Sequence, residues 1–297
     1  MRMKLDSRQS EAVVAVIESG SFEQAATQLY LTPSAVSQRV RALETSLGTP
    51  LVVRSRPCRA TPAGQRLLQY LRRVQSLEAD LQAEFAGAQT APVTVTIAVN
   101  ADTLASWLLP ALAPFLIREQ ILLDLSVDDQ DHTYTLLEAG LALGCISTEE
   151  KAMRGCHAEA LGKMRYRCMA SPAFRDNWFA KGMTRTAVKQ APVVVFNRKD
   201  RLQADFLLKH YGVADDACPR HYVPASEAYM QAIVLGLGWG MLPALQMHEL
   251  YRQGALVDIA PHRTTDVVLY WHTWNVQSPR MERLSRSLIQ AARQILG

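Results

Sequence analysis

The sequence predicts an α/β protein in three parts: a small N-terminal winged helix-turn-helix, a long linker helix, and a larger α/β domain. Three observations carry this reading. The basic surplus is concentrated in the first quarter of the chain. A short helix, a tight turn and a second helix with a polar outer face occupy residues 21–47. Beyond about residue 91, apolar strand-like runs alternate with helical ones.

At 297 residues the chain is long enough for two or three domains with separate cores. Residues 1–73 hold eleven Lys or Arg against five Asp or Glu, while the whole chain is only +4. The remainder is therefore slightly acidic, as expected if the N-terminal part alone meets phosphates. The apolar stretch from Leu104 to Leu116 is interrupted by Pro110 and Pro114 and falls short of the roughly 20 residues a membrane span requires. The N-terminus lacks the apolar core of a secretion signal, and the five cysteines are scattered without a C-x-x-C pair. No membrane association, disulfide framework or metal site is expected, and the cytoplasm is the expected compartment. Dispersed histidines and the absence of a Ser/His/Asp order give no catalytic constellation, so no enzyme and no cofactor is expected.

A first helix is predicted from about Leu5 to Ser19, stopped by Gly20. Ser21 is a suitable cap for a second, in which Phe22, Ala25, Ala26 and Leu29 share a face. Thr32 and Pro33 then open a third helix to about Leu47, a cap followed by a proline whose missing N–H costs nothing in the first turn. Its buried stripe is Val36, Val40, Leu43 and Leu47. Its outer stripe is Ser34, Ser37, Gln38 and Arg41, side chains able to reach base edges and phosphates. After Gly48, the run Leu51–Val53 reads as a strand, Arg54 to Pro57 as a basic turn, and the chain near Arg59 as a returning strand. Together they form a wing whose Arg54 and Arg56 could grip the backbone or enter a minor groove. The DNA-contacting set predicted is therefore Thr32, Pro33, Ser34, Ser37, Gln38, Arg41, Arg54 and Arg56, on double-stranded DNA.

Thr61 and Pro62 repeat the cap-and-proline pattern and open a helix to about Glu84. Leu67, Tyr70, Val74, Leu77 and Leu81 follow 3-4 spacing, which reads as a short dimer seam. A boundary is predicted at Gly87–Pro92. Strands are then expected at Val93–Asn100, Ile121–Val127, Leu141–Ser147, Ala191–Phe196, near Trp239–Leu242 and at Asp266–His272. Helices are expected near Ala101–Ile117, His132–Ala139, Leu202–His210 and Glu227–Leu235. That order implies a mostly parallel sheet. The run Gly236-Leu-Gly238-Trp-Gly240 follows a helix and precedes a strand, the reverse of the dinucleotide-binding order, and reads as a helix-terminating turn.

The stretch SFEQAATQLYLTPSAVSQRVRALETSLGTPLVVRSRPCRATPAGQRLL, residues 21–68, resembles the DNA-binding signature of the LysR-type transcriptional regulators. Length and two-part organisation extend the resemblance to the whole chain. The runs VNADTLASWLLPALAP, APVVVF, SEAYMQ and LYWH are similar to the ArgP/LysG branch, regulators of basic amino-acid export. The resemblance implies a periplasmic-binding-protein-like effector domain of two α/β subdomains. Crossing segments near Lys163–Met169 and Val267–Trp271 would hinge them. The expected boundaries are 1–61 for the DNA module, 62–90 for the linker and 91–297 for the effector domain. Subdomain I would hold about 91–163 and 268–297, and subdomain II about 164–267. The resemblance further implies a homodimer or homotetramer that responds to a small molecule, here L-lysine or L-arginine, and acts on an exporter gene through RNA polymerase. A different effector, or inhibition of chromosome replication initiation, stand as the alternatives.

The effector is expected at the carboxyl ends of strands and N-termini of helices. Asn100, Asp102 and Thr103 open a helix after a strand, where free N–H groups favour a carboxylate, although Asp102 or Thr103 can equally serve as a cap. Asp128 and Asp129 end the next strand and would pair with a cationic side chain. Ser147, Phe196, Asn197, Ser226 and Glu227 occupy corresponding positions later in the chain. The branch leads one to expect an aspartate directly after APVVVF. This chain has Asn197, followed by Arg198, Lys199 and then Asp200.

Overall fold

The computed structural model describes residues 5–86, 92–128 and 133–297. The N-terminal module follows from its caps. Helix α1 (Ser7–Ser19) starts on Asp6, whose carboxylate accepts the Gln9 N–H at 2.9 Å, and ends at Gly20 in the left-handed region. Helix α2 (Phe22–Gln28) starts on Ser21, whose hydroxyl takes the Glu23 and Gln24 N–H groups. Helix α3 (Pro33–Leu47) starts on Thr32 and stops at Gly48. Val36, Val40 and Leu43 of α3 pack against Val13, Val16, Ala25 and Ala26 in one small core. The alanine pair of α2 allows that close approach, as the spacing suggested. Strands β1 (Val52–Val53) and β2 (Arg59–Ala60) pair antiparallel to form the wing.

Two contacts seat the wing. The Glu44 carboxylate of α3 accepts the N–H groups of Leu51 and Val52, at 2.8 and 3.2 Å, and so ties β1 to α3. At Gly20 the Cys58 N–H reaches the glycine carbonyl at 2.7 Å, and a Cβ there would stand 2.9 Å from Pro57.

Helix α4 (Pro62–Ala86) carries two faces. Leu67 belongs to the N-terminal core rather than to an exposed seam, because the first turns of α4, from Ala63 to Leu71, close that core. Further along, the Gln69 amide donates to the Glu138 carbonyl at 2.6 Å and Ser76 donates to Ser278 at 3.0 Å. The buried Asp80 carboxylate accepts the Arg280 N–H at 2.7 Å. This face docks α4 on its own chain's large domain. Tyr70, Leu77, Leu81 and Phe85 remain exposed along the helix. The boundary predicted at Gly87–Pro92 lies, apart from Pro92, outside the described residues.

The large domain begins with β3 (Val93–Asn100), α5 (Ala101–Thr103), a π turn at Leu104–Leu108 and α6 (Leu109–Glu119). Then come β4 (Ile121–Asp128), α7 (Thr133–Glu138), β5 (Gly144–Ser147) and the long β6 (Cys156–Ala170). A second lobe follows: α8 (Pro172–Trp178), α9 (Arg185–Gln190), β7 (Val193–Val195), α10 (Leu202–Tyr211), β8 (Arg220–Tyr222), α11 (Ser226–Val234), β9 (Gly240–Pro243), α12 (Ala244–Arg252) and β10 (Val257–Asp258). The chain returns through β11 (Thr265–Trp274) and ends in α13 (Pro279–Leu296).

Strands run in the order β10-β6-β11-β5-β3-β4, with β9 also on β6. The sheet is mixed rather than mostly parallel. β3 is parallel to β4 and β5, but β11 is antiparallel to β5 and β6. The physical reason is connectivity. One strand leaves the first lobe and the other returns to it, so the two crossing strands must run in opposite directions. β6 pairs with β11 up to Tyr166 and with β9 from Tyr166 to Met169, which makes it the strand shared by both lobes. The register slips between Leu269 and Tyr270, leaving Leu161 as the extra residue of a bulge. Gly162 beside it has φ 135°, and a Cβ there would stand 2.6–2.7 Å from Leu296. Trp271, Tyr166 and Ile97 are among the large side chains fully buried around this crossing.

Candidate functional site

Two surfaces hold the residues singled out by the sequence. The first is the outer face of α3. Thr32, Pro33, Ser34, Gln38 and Arg41 are exposed and Ser37 is half-buried, while Val36 and Val40 on the opposite side are fully buried. The Thr32 hydroxyl accepts the Ala35 N–H at 3.3 Å and lies 3.0 Å from the Ser34 hydroxyl, so the cap and the first outward side chain are linked. Arg54 and Arg56 are both exposed on the wing. The Arg54 guanidinium sits 5.0 Å from the Phe22 ring centroid, which holds its stem against α2. Glu44, which positions the wing, was not among the predicted residues. Its position three residues beyond Arg41 on α3 is the signal that could have found it.

The second surface is a cleft between the lobes. Its walls are Asn100, Ala101, Asp102, Tyr166, Phe196, Asp200, Leu202, Gln203, Tyr229 and Met241. Asn100 ends β3 and its side chain caps α5, accepting the Thr103 N–H at 2.9 Å. That leaves Asp102, one residue earlier, to reach across the cleft. One carboxylate oxygen accepts from the Tyr166 hydroxyl at 2.8 Å and the other from the Ser226 hydroxyl at 2.9 Å. Ser226 opens α11 in the second lobe and Tyr166 lies on the crossing strand, so Asp102 bridges the lobes. Burial, and then the adjacent Asp102 carboxylate, push the Tyr166 phenol well above its ordinary range, so it remains a donor.

The second carboxylate is Asp200. Asn197 is turned back on its own loop, where its side-chain oxygen accepts the N–H groups of Lys199 and Asp200 at 2.7 and 3.0 Å. Asp200 in turn accepts from Phe196 at 3.3 Å and Leu202 at 2.9 Å, which fixes it at the entry to α10. Asn197 is not among the cleft walls, and the carboxylate on this loop that lines the cleft is Asp200. An Asx-type turn at Asn197 carries the chain back so that Asp200 lines the cleft.

Gln203, one turn further and 3 % exposed, donates to the Tyr229 hydroxyl at 2.7 Å. That hydroxyl also accepts from Met241 N at 3.0 Å and donates to its carbonyl at 3.3 Å. Burial, and then Asp200, keep the Tyr229 phenol far above its ordinary range. A Cβ at Gly240 would overlap the Tyr229 hydroxyl, so the glycine run set aside as a turn also makes room for this contact.

Of the other predicted effector residues, Thr103 and Ser147 are buried outside the cleft walls, and the Ser147 hydroxyl accepts the Glu149 N–H at 3.1 Å. Glu227 is exposed on α11 and does not line the cleft. Asp128 ends β4, and Asp129 lies outside the described residues. The cleft thus brings together Asn100, Asp102 and Phe196, with Ser226 one hydrogen bond behind. It adds Tyr166, Asp200, Gln203, Tyr229 and Met241, which sequence reasoning missed as site residues. Among the described residues no cluster suited to a metal ion occurs, and no helix is long and apolar enough to cross a membrane.

Comparison with known proteins matches this architecture. Residues 7–65 match the bacterial regulatory helix-turn-helix proteins of the lysR family, and residues 88–293 match the LysR substrate binding domain. The chain is 40% identical over 293 residues to the HTH-type transcriptional regulator ArgP of Aeromonas salmonicida, covering 98% of each chain. It superposes on the crystal structure of ArgP from Mycobacterium tuberculosis with a TM-score of 0.84 at 40% identity, covering 97% of this chain and 98% of that one. It superposes on full-length LysG from Corynebacterium glutamicum with bound effector Arg at 0.76 and 33% identity, covering 98% and 99%. The winged module, the linker helix and the two-lobed domain therefore have one explanation: the chain belongs to the LysR family of DNA-binding transcriptional regulators.

Proposed function

We propose that this regulator answers to a basic amino acid, L-arginine or L-lysine, and controls an exporter gene for that amino acid. The observation that carries the reading is the charge of the cleft. Asp102 and Asp200 both line it, and none of its wall residues is Lys, Arg or His. An acidic, partly apolar cleft selects a cationic ligand, since burying an ammonium or guanidinium without a carboxylate is costly. The related LysG carries bound Arg, and the ArgP and LysG relatives align over nearly the whole chain. The effector's α-carboxylate would meet the backbone at Ala101 and Asp102.

In this reading ligand binding shifts the balance between open and closed lobes, because a cation reaches Asp102 on the first lobe and Asp200 on the second together only when the lobes close. The exposed stripe of Tyr70, Leu77, Leu81 and Phe85 on α4 pairs with a second copy. Two copies present two α3 helices to a palindromic site, and lobe closure changes their spacing, DNA bending and contact with RNA polymerase.

Calorimetric titration of the full-length protein with the twenty amino acids tests the effector. Saturable heat is expected from arginine or lysine alone, and heat only from a neutral or acidic amino acid overturns the reading. On the DNA side, Gln38→Ala and Arg41→Ala are expected to weaken operator binding by about tenfold each and to relax base preference. Unchanged affinity and preference in a gel-shift competition would remove α3 from the groove.

A further inference from the structure

The two carboxylates explain attraction for any cation; they do not distinguish one basic side chain from another. A third, uncharged acceptor in the cleft does. Gln203 is buried at 3 % exposure, and its side-chain oxygen has no hydrogen-bond partner although the residue lines the cleft. Its amide nitrogen is committed to the Tyr229 hydroxyl at 2.7 Å. The backbone of Met241 anchors that hydroxyl in turn. The amide therefore cannot turn without breaking a buried hydrogen bond, and its oxygen is held as a fixed acceptor. Three residues before it, Asp200 supplies a carboxylate at the same end of α10, and Phe196, Tyr166 and Tyr229 provide aromatic wall.

We infer that Gln203 is the specificity-determining residue of this cleft, making it prefer a guanidinium side chain to an alkylammonium; the inference rests on the basic amino-acid reading above. A guanidinium is flat, is weakly hydrated and presents five N–H donors in fixed directions. It can meet Asp200 with one edge, offer a further N–H to Gln203, and lie against an aromatic face. An ammonium is a compact, strongly hydrated point charge that satisfies itself on the carboxylates and loses little when a neutral acceptor is removed.

Calorimetry of the full-length protein with L-arginine and L-lysine separates the possibilities. Wild-type protein is expected to bind arginine about tenfold more tightly than lysine, the worth of one well-placed hydrogen bond to a charged group. Gln203→Met, similar in volume but without an acceptor, is expected to weaken arginine about tenfold and to leave lysine within about twofold. Gln203→Glu puts a third carboxylate at the same place and is expected to tighten both ligands, lysine the more, and so to narrow the arginine preference. A methionine variant that weakens both ligands equally, or that keeps the preference, overturns the inference. Should that variant not fold, Gln203→Glu decides alone: a narrowed preference supports the assignment and an unchanged preference overturns it. Wild-type protein that binds both amino acids equally overturns this inference only. Wild-type protein that binds neither overturns the effector reading as well.

Discussion

Asp102→Ala is expected to lower effector affinity by about a hundredfold while leaving effector-free DNA affinity within about twofold. The magnitude follows from removing one partner of a desolvated, hydrogen-bonded charge contact, which costs about 2–5 kcal/mol. Asp102 does two things at once. Its carboxylate faces the cleft, and it also holds Tyr166 and Ser226 from different elements. Truncation removes the cation's partner and leaves the buried Tyr166 hydroxyl without its acceptor, so both binding and closure suffer. Asp102→Asn keeps the shape and one acceptor oxygen but not the charge, and should fall between the two. Calorimetry gives the affinity and a gel shift without amino acid gives the DNA term. An alanine variant with wild-type effector affinity would remove Asp102 from the site.

Gly64→Ala sets two effects of opposite sign against each other. In an exposed helix, glycine to alanine stabilises by up to about 1 kcal/mol. Here the residue is buried in the first turn of α4, and a Cβ would overlap the Leu51 carbonyl oxygen, with Ala60 Cβ at 3.4 Å. That carbonyl already accepts the Thr61 N–H at 2.9 Å, and the Thr61 hydroxyl donates to the Pro50 carbonyl at 2.7 Å, so the backbone has little freedom to withdraw. Overpacking of this kind costs about 1–3 kcal/mol and outweighs the helix gain. The variant is expected to unfold its DNA module at lower urea and to bind DNA more weakly, because the wing must move off α4. Equal or greater stability would mean that the wing relaxes freely.

The two variants sample parts of the chain that were unequally legible. Thr61 and Pro62 announced themselves as a cap and a first-turn proline, and the structure gives each that role: the Thr61 hydroxyl accepts the Gly64 N–H at 3.0 Å and α4 starts at Pro62. Likewise α1 and α3 end where Gly20 and Gly48 stand, and α3 spans Pro33–Leu47 as its spacing predicted. These signals are local: a hydroxyl and an N–H three residues apart, or apolar side chains at helical spacing, meet whatever the rest of the chain does. The carry-over from the family was equally direct, since the motif residues are contiguous.

The cleft was only partly legible, and the reason is distance in sequence. Asp102 was recognisable because it follows a strand and starts a helix. Its partners Tyr166 and Ser226 lie 64 and 124 residues away, and no local rule relates them. Asp200 was hidden by a different effect. Reading the position after APVVVF as the site put Asn197 there, whereas Asn197 caps its own loop and Asp200, three residues on, lines the cleft. Tyr166 sits on β6, where alternation says only that one face is buried, not that a bulge and a shared strand aim that residue between lobes.

By itself, then, the sequence determined the winged helix-turn-helix, its polar α3 face, the linker helix and the acidic start of α5, because each depends on groups within a turn or two of one another. The tertiary structure alone decided that Leu67 closes the N-terminal core while Tyr70, Leu77 and Leu81 stay exposed. It alone decided that the sheet is mixed, and that Asp102, Asp200 and Gln203 line one cleft. These outcomes depend on how strands that cross between lobes pair and bend, and pairing across more than a hundred residues is settled by packing rather than by any local pattern of side chains.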